Sequence, residues 1–444
     1  MASSHLSRTF DQVGNRTTWT LSVWIKRTGI GGQQNFFGSF PQASDYERIM
    51  FNNDKIYIAE VAGSSTNWEC ETDARYRDVN AWYHLVYRHD TTQASANDRI
   101  RLYMNGVQQS FGTNSQPAQN RGTAINTADV HKIGMGASSE YTDCEMAHFH
   151  WCDGQSYAPT EFGETDSTTG IWKPKVSPSV SYGTNGFFLK FDNAANMGLD
   201  SGGGAHNWTT NGSIIQNKDT PNNVFCTMNS LDNYWQASTF ANTSNTITTS
   251  AAKENYNTST LAMSSNDAGK YYCEVKIVSA SAYSLVGLAD KLTTSATSNF
   301  KNHAYGYAYD SSNGNIINNN SSSSYGNSYT TGDIIGIAVD TDNNKLYFSK
   351  NGTWQNSGDP TSGSTGTGAI SISSTTTNGY YIFASGTRHN DSLQASWNFG
   401  NGYFGTTAVA SAQNPDDGVG IFEYDVPAGY RALCTKSLNA QEYS

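Results

Sequence analysis

Three acidic residues, Glu69, Glu71 and Asp73, lie close together, and the two glutamates are spaced so that a strand would place them on one face. Retaining hydrolysis of a glycosidic bond needs two carboxyl groups about 5 Å apart. This pair is therefore the nearest approach to a catalytic site, although a solvated strand face explains the same spacing. The sequence has no Ser-His-Asp arrangement or phosphate-binding loop, and it favours a protein that is not an enzyme.

Two groups of residues are candidate metal ligands. His148 and His150 alternate with Cys152, so a strand would set all three on one face, and imidazole and thiolate bind zinc and other transition metals. Ligands on one straight strand converge poorly, so a packed sheet face is the alternative. Asp340 and Asp342 lie in an acidic turn and could bind calcium through carboxylate oxygens, although acidic turns also occur without metal. No other cofactor is indicated.

Aromatic residues beside polar segments are candidates for glycan binding. An exposed indole can stack on the C–H face of a sugar ring, and loops at the rim of a rigid sandwich commonly carry binding residues. Burial in a core is the alternative for each of them. The candidates are Trp68, Trp208, Trp235 and Trp354.

The elements that would position these residues are strands. Ile100, Leu102 and Met104 alternate with polar or aromatic residues, and Asn105-Gly106 follows as a hairpin turn. The segment 332–354 repeats this order of strand, Asp-led turn, strand and Asn-Gly turn. The sequence therefore predicts two sandwich cores.

Composition supports a folded chain of short strands and long polar loops. The 444 residues are 12% aromatic and only 15% charged, unlike a disordered chain. A net charge of −11 argues against nucleic acid as a partner. No segment approaches the roughly 20 apolar residues of a membrane span, and the first residues lack a signal peptide's apolar core. We therefore expect no membrane insertion and synthesis in a cytoplasm. The six cysteines have no Cys-x-x-Cys spacing, and we expect them to be reduced.

The predicted fold is all-β, with two antiparallel β-sandwich (jelly-roll) domains in tandem. The first sandwich is predicted over 1–195, a connector over 196–232, and a second sandwich with a C-terminal tail over 233–444. The low-complexity tract 311–324 is predicted to be a long surface loop, and a mobile, prion-like patch is the alternative.

Two domain families are indicated by these motifs. The strand pair AWYHLVYRHD and RIRLYMNGV, within 80–107, resembles the concanavalin-A-like, laminin-G-like jelly roll. The segments 271–275, 286–289 and 332–352 resemble the SPRY sandwich, whose pattern includes GD-IGi-vD and a later NG. The chain is thus predicted to be concanavalin-A-like first and SPRY-like second.

A further resemblance is to tailed-bacteriophage virion proteins that carry a concanavalin-A-like domain. It rests on the N-terminal segment 4–27 and on Asp153-Gly154-Gln155, 159–163 (PTEFG) and 170–175 (GIWKPK). It implies a non-enzymatic protein of the virion surface, a tail fibre, spike or other appendage, made in the host bacterial cytoplasm. Its implied partners are other virion proteins and host cell-surface glycans, and it implies a homo-oligomer, with a trimer as one form. A capsid decoration or head-fibre protein is the alternative, and a polysaccharide hydrolase is a third, less favoured reading.

Overall fold

The computed structural model describes residues 4–137, 140–233, 238–250, 254–293, 299–389 and 391–442. The chain forms two compact units, Met1–Gln216 and Asn217–Ser444. Each unit contains its own pair of large sheets and its own hydrophobic core.

The described residues of the first unit form sixteen strands. They are β1 His5–Thr9, β2 Thr18–Arg27, β3 Gln33–Gln42, β4 Asp45–Asn52, β5 Lys55–Ala62, β6 Ser65–Thr72, β7 Trp82–Asp90, β8 Ile100–Met104, β9 Val107–Gln108, β10 Phe111–Ser115, β11 Val130–Ile133, β12 Cys144–Asp153, β13 Gly163–Thr165, β14 Trp172–Pro174, β15 Phe187–Leu189 and β16 Thr209–Asn211. An eight-stranded sheet has the order β10-β6-β5-β4-β3-β11-β1-β16, and a six-stranded sheet has the order β15-β12-β2-β7-β8-β9. Strands β13 and β14 form a separate hairpin, and 3-10 turns occur at Ala96–Asp98 and Pro159–Glu161.

The predicted hairpin of the first unit is confirmed. Strand β7 pairs with β8, and Asn105 and Gly106 adopt φ values of 49° and 80° in the turn that follows. Strand β2 pairs with β7 along nine residues, and its residues Trp19, Leu21 and Val23 enter the inner core. The apolar alternation read from the sequence therefore marks the face that packs between the two sheets.

The second unit has the remaining strands of the described chain. They are β17 Ser238–Ala241, β18 Thr246–Thr249, β19 Asn255–Thr258, β20 Met263–Ser264, β21 Lys270–Ala280, β22 Ser284–Ala289, β23 Tyr307–Asp310, β24 Asn315–Asn318, β25 Ser321–Ser324, β26 Ile334–Asp340, β27 Lys345–Lys350, β28 Thr353–Trp354, β29 Ile370–Ser371, β30 Tyr380–Thr387, β31 Leu393–Asn398, β32 Tyr403–Phe404, β33 Thr407–Ala408 and β34 Arg431–Ala432. One sheet has the main order β17-β18-β31-β21-β26-β27-β28, and the other has the main order β19-β30-β22-β23-β24-β25. All of these pairings are antiparallel except that of β34 with β21.

Helical structure is sparse in the second unit. Short 3-10 segments occur at Phe300–Asn302, Gln355–Ser357 and Pro360–Thr365, and one α-helix, α1, spans Thr435–Glu442. Within the described ranges, no helix has the length and apolar character needed to cross a bilayer.

Three features differ from the sequence-based expectations. The region predicted as a connector is divided between the units, because β16 pairs with β1 whereas Phe225 and Cys226 pack in the second unit. The low-complexity tract is not a long loop, since β24 and β25 form a hairpin turned by Asn319 and Asn320 at φ values of 48° and 63°. The C-terminal helix was not predicted.

Candidate functional site

The glycan-binding prediction does not hold for two of the four tryptophans. Trp68 is 2% exposed and Trp208 is 3% exposed, and both lie in the inner core of the first unit. Strand β6 places Trp68 inward with Cys70, while Glu69 and Glu71 point away. An indole that packs between two sheets has no face for a sugar, so both residues are removed as candidates.

The other two tryptophans have different outcomes. Trp235 lies outside the described residues. Trp354 is half-buried after the Asn351-Gly352 turn, and its ring meets Tyr272 and Tyr347 edge-on at centroid distances of 6.4 Å each. Its proposed role in glycan binding stays a prediction.

The glutamates of the first unit are engaged in structural contacts. The Tyr57 hydroxyl donates to Glu69 at 2.6 Å, and Lys55 lies 3.1 Å from Glu71. Both carboxylates therefore have partners within the sheet, which agrees with the alternative that they belong to a strand face and are not a catalytic pair.

The two histidines lie on β12 but do not alternate regularly. The register shifts between Ala147 and His150, and His148 has a φ of 49° at this bulge. His150 Nδ1 lies 2.9 Å from the Tyr182 hydroxyl, and its ring stacks on Phe188 at 3.9 Å. Burial lowers the pKa of both imidazoles, so both are neutral at neutral pH. Within the described ranges, no group of three His, Cys, Asp or Glu residues is arranged to hold a metal ion.

The two aspartates of the predicted calcium turn lie in different environments. Asp340 is fully buried, and its carboxylate lies 3.3 Å from Lys270 Nζ and accepts hydrogen bonds from the Asn343 backbone and side-chain amides, each at 2.9 Å. Its oxygens are therefore occupied by donors, which corrects the expectation that they would face a cation. Asp342, two residues later in the same turn, is exposed.

The GIWKPK motif belongs to residues 153–175 of the first unit, which we call the covering segment, and its Trp172 contacts the hairpin of β7 and β8. Trp172 donates its indole N–H to His84 Nδ1 at 2.9 Å, and the other ring nitrogen of His84 lies 2.9 Å from the Ser22 hydroxyl. Since Nδ1 accepts, the His84 proton is on Nε2 and points to Ser22. The indole also occupies the space that a Cβ would need at Gly106 and Gly163. This motif is therefore a structural clasp, and His84 cannot act as a base toward Ser22.

A buried carboxylate performs a similar task in the second unit. Glu274, in the YYCEV motif on β21, is fully buried. It accepts hydrogen bonds from the backbone amides of Glu423 at 2.8 Å and Tyr424 at 2.9 Å. It also accepts from the Tyr272 hydroxyl at 3.1 Å and the Asn398 amide at 3.2 Å. Glu274 thus fastens the segment that leads to Arg431 against the outer face of the sheet.

An open cleft of about 850 Å³ lies on the second unit. Its walls come from the turn before β21, the turn after β26, the segment entering β34, and helix α1. Leu438 and Ala440 form an apolar wall of the cleft. Four charged side chains and one phenol also line it, and these are Asp267, Lys270, Asp342, Arg431 and Tyr271.

We call this opening the Asp342 cleft, and two of its charged groups, Arg431 and Asp342, act on the buried Tyr271. Tyr271 is 3% exposed, and burial raises its pKa to about 12, while Arg431 lowers it and Asp342 raises it. The phenol is therefore protonated at neutral pH. The carboxylate of Asp342 forms no hydrogen bond or ion pair with any described residue, so it is free to accept hydrogen bonds from a ligand.

Most residues of the cleft were missed by sequence reasoning. Only Asp342 was a candidate, and it was assigned to calcium. Asp267, Lys270 and Arg431 had no recognisable spacing, because they belong to segments that are distant in sequence. The one available signal was that Lys270 begins β21 and Asp342 follows the end of β26, since antiparallel pairing of these strands brings both residues to the same end of the pair.

Comparison with known families agrees with the order of the two domains. The concanavalin A-like lectin/glucanases superfamily matches residues 3–153, and the SPRY domain family matches residues 270–368. The chain thus contains a concanavalin A-like domain followed by a SPRY domain, and both are folds of the binding type. This confirms the predicted fold class.

Individual relatives cover only a part of the chain. Ran-binding protein 9 of Homo sapiens is 37% identical over 87 residues, which are 19% of this chain and 12% of that protein. Ran-binding protein 10 of Danio rerio is also 37% identical over 87 residues, 19% of this chain and 14% of that protein. The matched segment is thus about an eighth of the length of these relatives.

Two solved structures are similar to parts of the chain. The SPRY domain of human HERC1 has 15% identity and a TM-score of 0.28, covering 34% of this chain and 87% of that one. The heptameric SAP-like pentraxin of Limulus polyphemus has 16% identity and a TM-score of 0.28, covering 43% of this chain and 87% of that one. The domain assignments rest on the two family matches.

Proposed function

We propose that this protein is a non-enzymatic attachment protein of a tailed-phage virion, and that it binds host cell-surface glycans through the Asp342 cleft. The observation that carries the glycan assignment is the cleft itself. It places the free carboxylate oxygens of Asp342 and the cationic side chains of Lys270 and Arg431 around one opening. Sugars present many hydroxyl groups that both donate and accept hydrogen bonds, so this mixture of groups suits them.

The virion assignment is supported by the motifs of the covering segment. Each of them has a structural role in the first unit. Asp153 accepts a hydrogen bond from the Asn15 backbone amide at 2.8 Å, Phe162 is buried, and Trp172 packs on the hairpin turn at Gly106. The motifs therefore specify one domain architecture together. Its proposed location is the virion surface, and its proposed partners are other virion proteins and further copies of this chain.

Binding to a glycan array and to whole host cells tests this function. We expect saturable binding by the natural protein and a loss of at least tenfold in Asp342→Asn and Arg431→Gln, since each removes a charge-assisted hydrogen bond of about 1.5–3 kcal/mol. Asp425→Asn is the matched control, because Asp425 is exposed and lies outside the cleft. We expect EDTA to leave binding unchanged.

Three results would argue against the proposal. Equal binding by the cleft variants and the control would show that the Asp342 cleft is not the site. If labelled antibody decorates the capsid and the purified protein binds neither cells nor glycans, the protein is a capsid decoration instead. Release of reducing sugar from a bound polysaccharide would identify a hydrolase.

A further inference from the structure

A second cavity of about 440 Å³ lies on the second unit and has a different chemical character. Its charged lining residues are two lysines, Lys218 and Lys436, and three asparagine side chains, Asn222, Asn223 and Asn414, also line it. We call it the lysine cavity. Both lysines are exposed, and among the described residues neither forms an ion pair with a carboxylate. Two unpaired cations in one concave site are notable in a chain of net charge −11.

Among the acidic residues nearby in sequence, Asp219 directly follows Lys218, but it is buried and does not line the cavity. Asp416 accepts a hydrogen bond from the Gly429 amide at 2.8 Å. Asp417 accepts from the Val419 amide at 2.9 Å and lies 3.9 Å from Arg431 Nε. Neither aspartate lines the cavity. Both charged groups that line the cavity are therefore cationic, and ammonium groups bind oxyanions as compact point charges.

Helix α1 connects the lysine cavity with the Asp342 cleft. Lys436 lines the cavity, whereas Leu438 and Ala440 line the cleft. The first turn is fixed in place, since the Asn223 side-chain oxygen accepts from the Lys436 amide at 3.0 Å and the Thr435 hydroxyl oxygen accepts from the Val224 amide at 3.0 Å. One short, anchored helix thus supports both openings.

We propose that the lysine cavity binds the sulfate or carboxylate groups of an acidic glycan. The inference rests on the proposed function for its class of ligand, and it deepens that function by specifying an acidic glycan. Lys218 and Lys436 supply the charge, and the exposed amide of Asn222 is available to sugar hydroxyls, because it forms no side-chain hydrogen bond within the described chain.

The test compares binding of dextran sulfate with binding of dextran of the same length to the full chain. We expect a preference for dextran sulfate that falls about two- to thirtyfold in the double variant Lys218→Ala/Lys436→Ala, since each exposed ion pair contributes about 0.2–1 kcal/mol. The double variant Lys175→Ala/Lys291→Ala is the control, because it changes the net charge equally at lysines outside both sites. Raising the salt concentration should weaken the natural protein's binding more than that of the cavity variant.

Three outcomes would overturn the inference. They are equal affinity for dextran and dextran sulfate, an equal loss in the cavity and control variants, and full competition by inorganic sulfate at the same concentration of sulfate groups. A failure of the proposed function can be distinguished from these outcomes. In that case, Asp342→Asn would leave binding to host cells and to the glycan array unchanged. Lysine-dependent binding of dextran sulfate in that case would still support the lysine cavity.

Discussion

Replacing Glu274 tests how the second unit positions both of its binding sites. The segment that Glu274 fastens continues to Arg431 in the Asp342 cleft, and it follows directly on residues 418–421 of the lysine cavity. In Glu274→Gln, one of the two carboxylate oxygens becomes an NH2 group. Three of the four groups around the carboxylate are N–H donors, and only the Tyr272 hydroxyl can also accept, so the new NH2 faces a backbone N–H donor on whichever side it lies.

The size of the effect follows from the bonds that are lost. Each carboxylate oxygen accepts two hydrogen bonds, one of them from the backbone amide of Glu423 or Tyr424. A buried donor left without an acceptor costs about 1–3 kcal/mol. We expect the new NH2 on the Tyr272 side, where the hydroxyl can accept from it and only the Tyr424 backbone amide loses its acceptor. This predicts a destabilisation of about 1–3 kcal/mol for the second unit, and none for the first.

Differential scanning calorimetry and hydrogen exchange measure the two parts of this prediction. The unfolding transition of the second unit should shift to lower temperature, and the amides of Glu423 and Tyr424 should exchange faster. Asp425→Asn is the control, since it removes an exposed carboxylate one residue beyond the clasped amides. Unchanged exchange at 423 and 424 in Glu274→Gln would refute the reasoning, whatever the calorimetric result.

Two further predictions concern the first unit. Burial, with the neighbouring Glu60, raises the pKa of Glu47 to about 8, so the folded state keeps a proton that the unfolded state releases above about pH 4.5. The first unit should therefore lose about 1.4 kcal/mol of stability per pH unit from this group as the pH rises from about 5 to 8. In melting curves recorded across this pH range, Glu47→Gln should remove that slope. An identical slope in both proteins would contradict the assignment. Trp172→Ala should cost about 2–4 kcal/mol in urea unfolding, since the half-buried indole packs against His84 and Gly163 and a truncated core aromatic costs about 3–5 kcal/mol; a loss below 1 kcal/mol would show that the covering segment is held by other contacts.

Strand positions and hairpin turns were predictable because they are written in short-range patterns. The alternation of Ile100, Leu102 and Met104 and the Asn105-Gly106 pair depend only on the two-residue period of a strand and on the φ values that each residue tolerates. The same rule, applied to Trp68 and Glu69, would have placed the indole inward. The alternation of inward and outward positions along the strand predicted exposure better than the polarity of the neighbouring residues in the sequence.

The inner acidic residues show where a local pattern gives an incomplete answer. Glu47 shares the inward face of β4 with Ile49 and Phe51, so its parity alone indicated a buried carboxyl. Parity did not reveal its partners, which are the amides of Ala124 and Ile125 at 2.9 and 3.2 Å. Those amides lie more than seventy residues away, and no periodicity connects them to β4.

By itself, the sequence determined the all-β class, the tandem order of the two domains and most turns, since backbone preference and alternation act over a few residues. Only the tertiary structure decided which side chains meet at a site. Asp267, Asp342 and Arg431 reach one cleft because β21 pairs with both β26 and β34. Helix α1 completes the cleft from the far end of the chain. Burial and hydrogen-bond partnership depend on which distant segment covers a face, and that choice is made by packing of the whole unit.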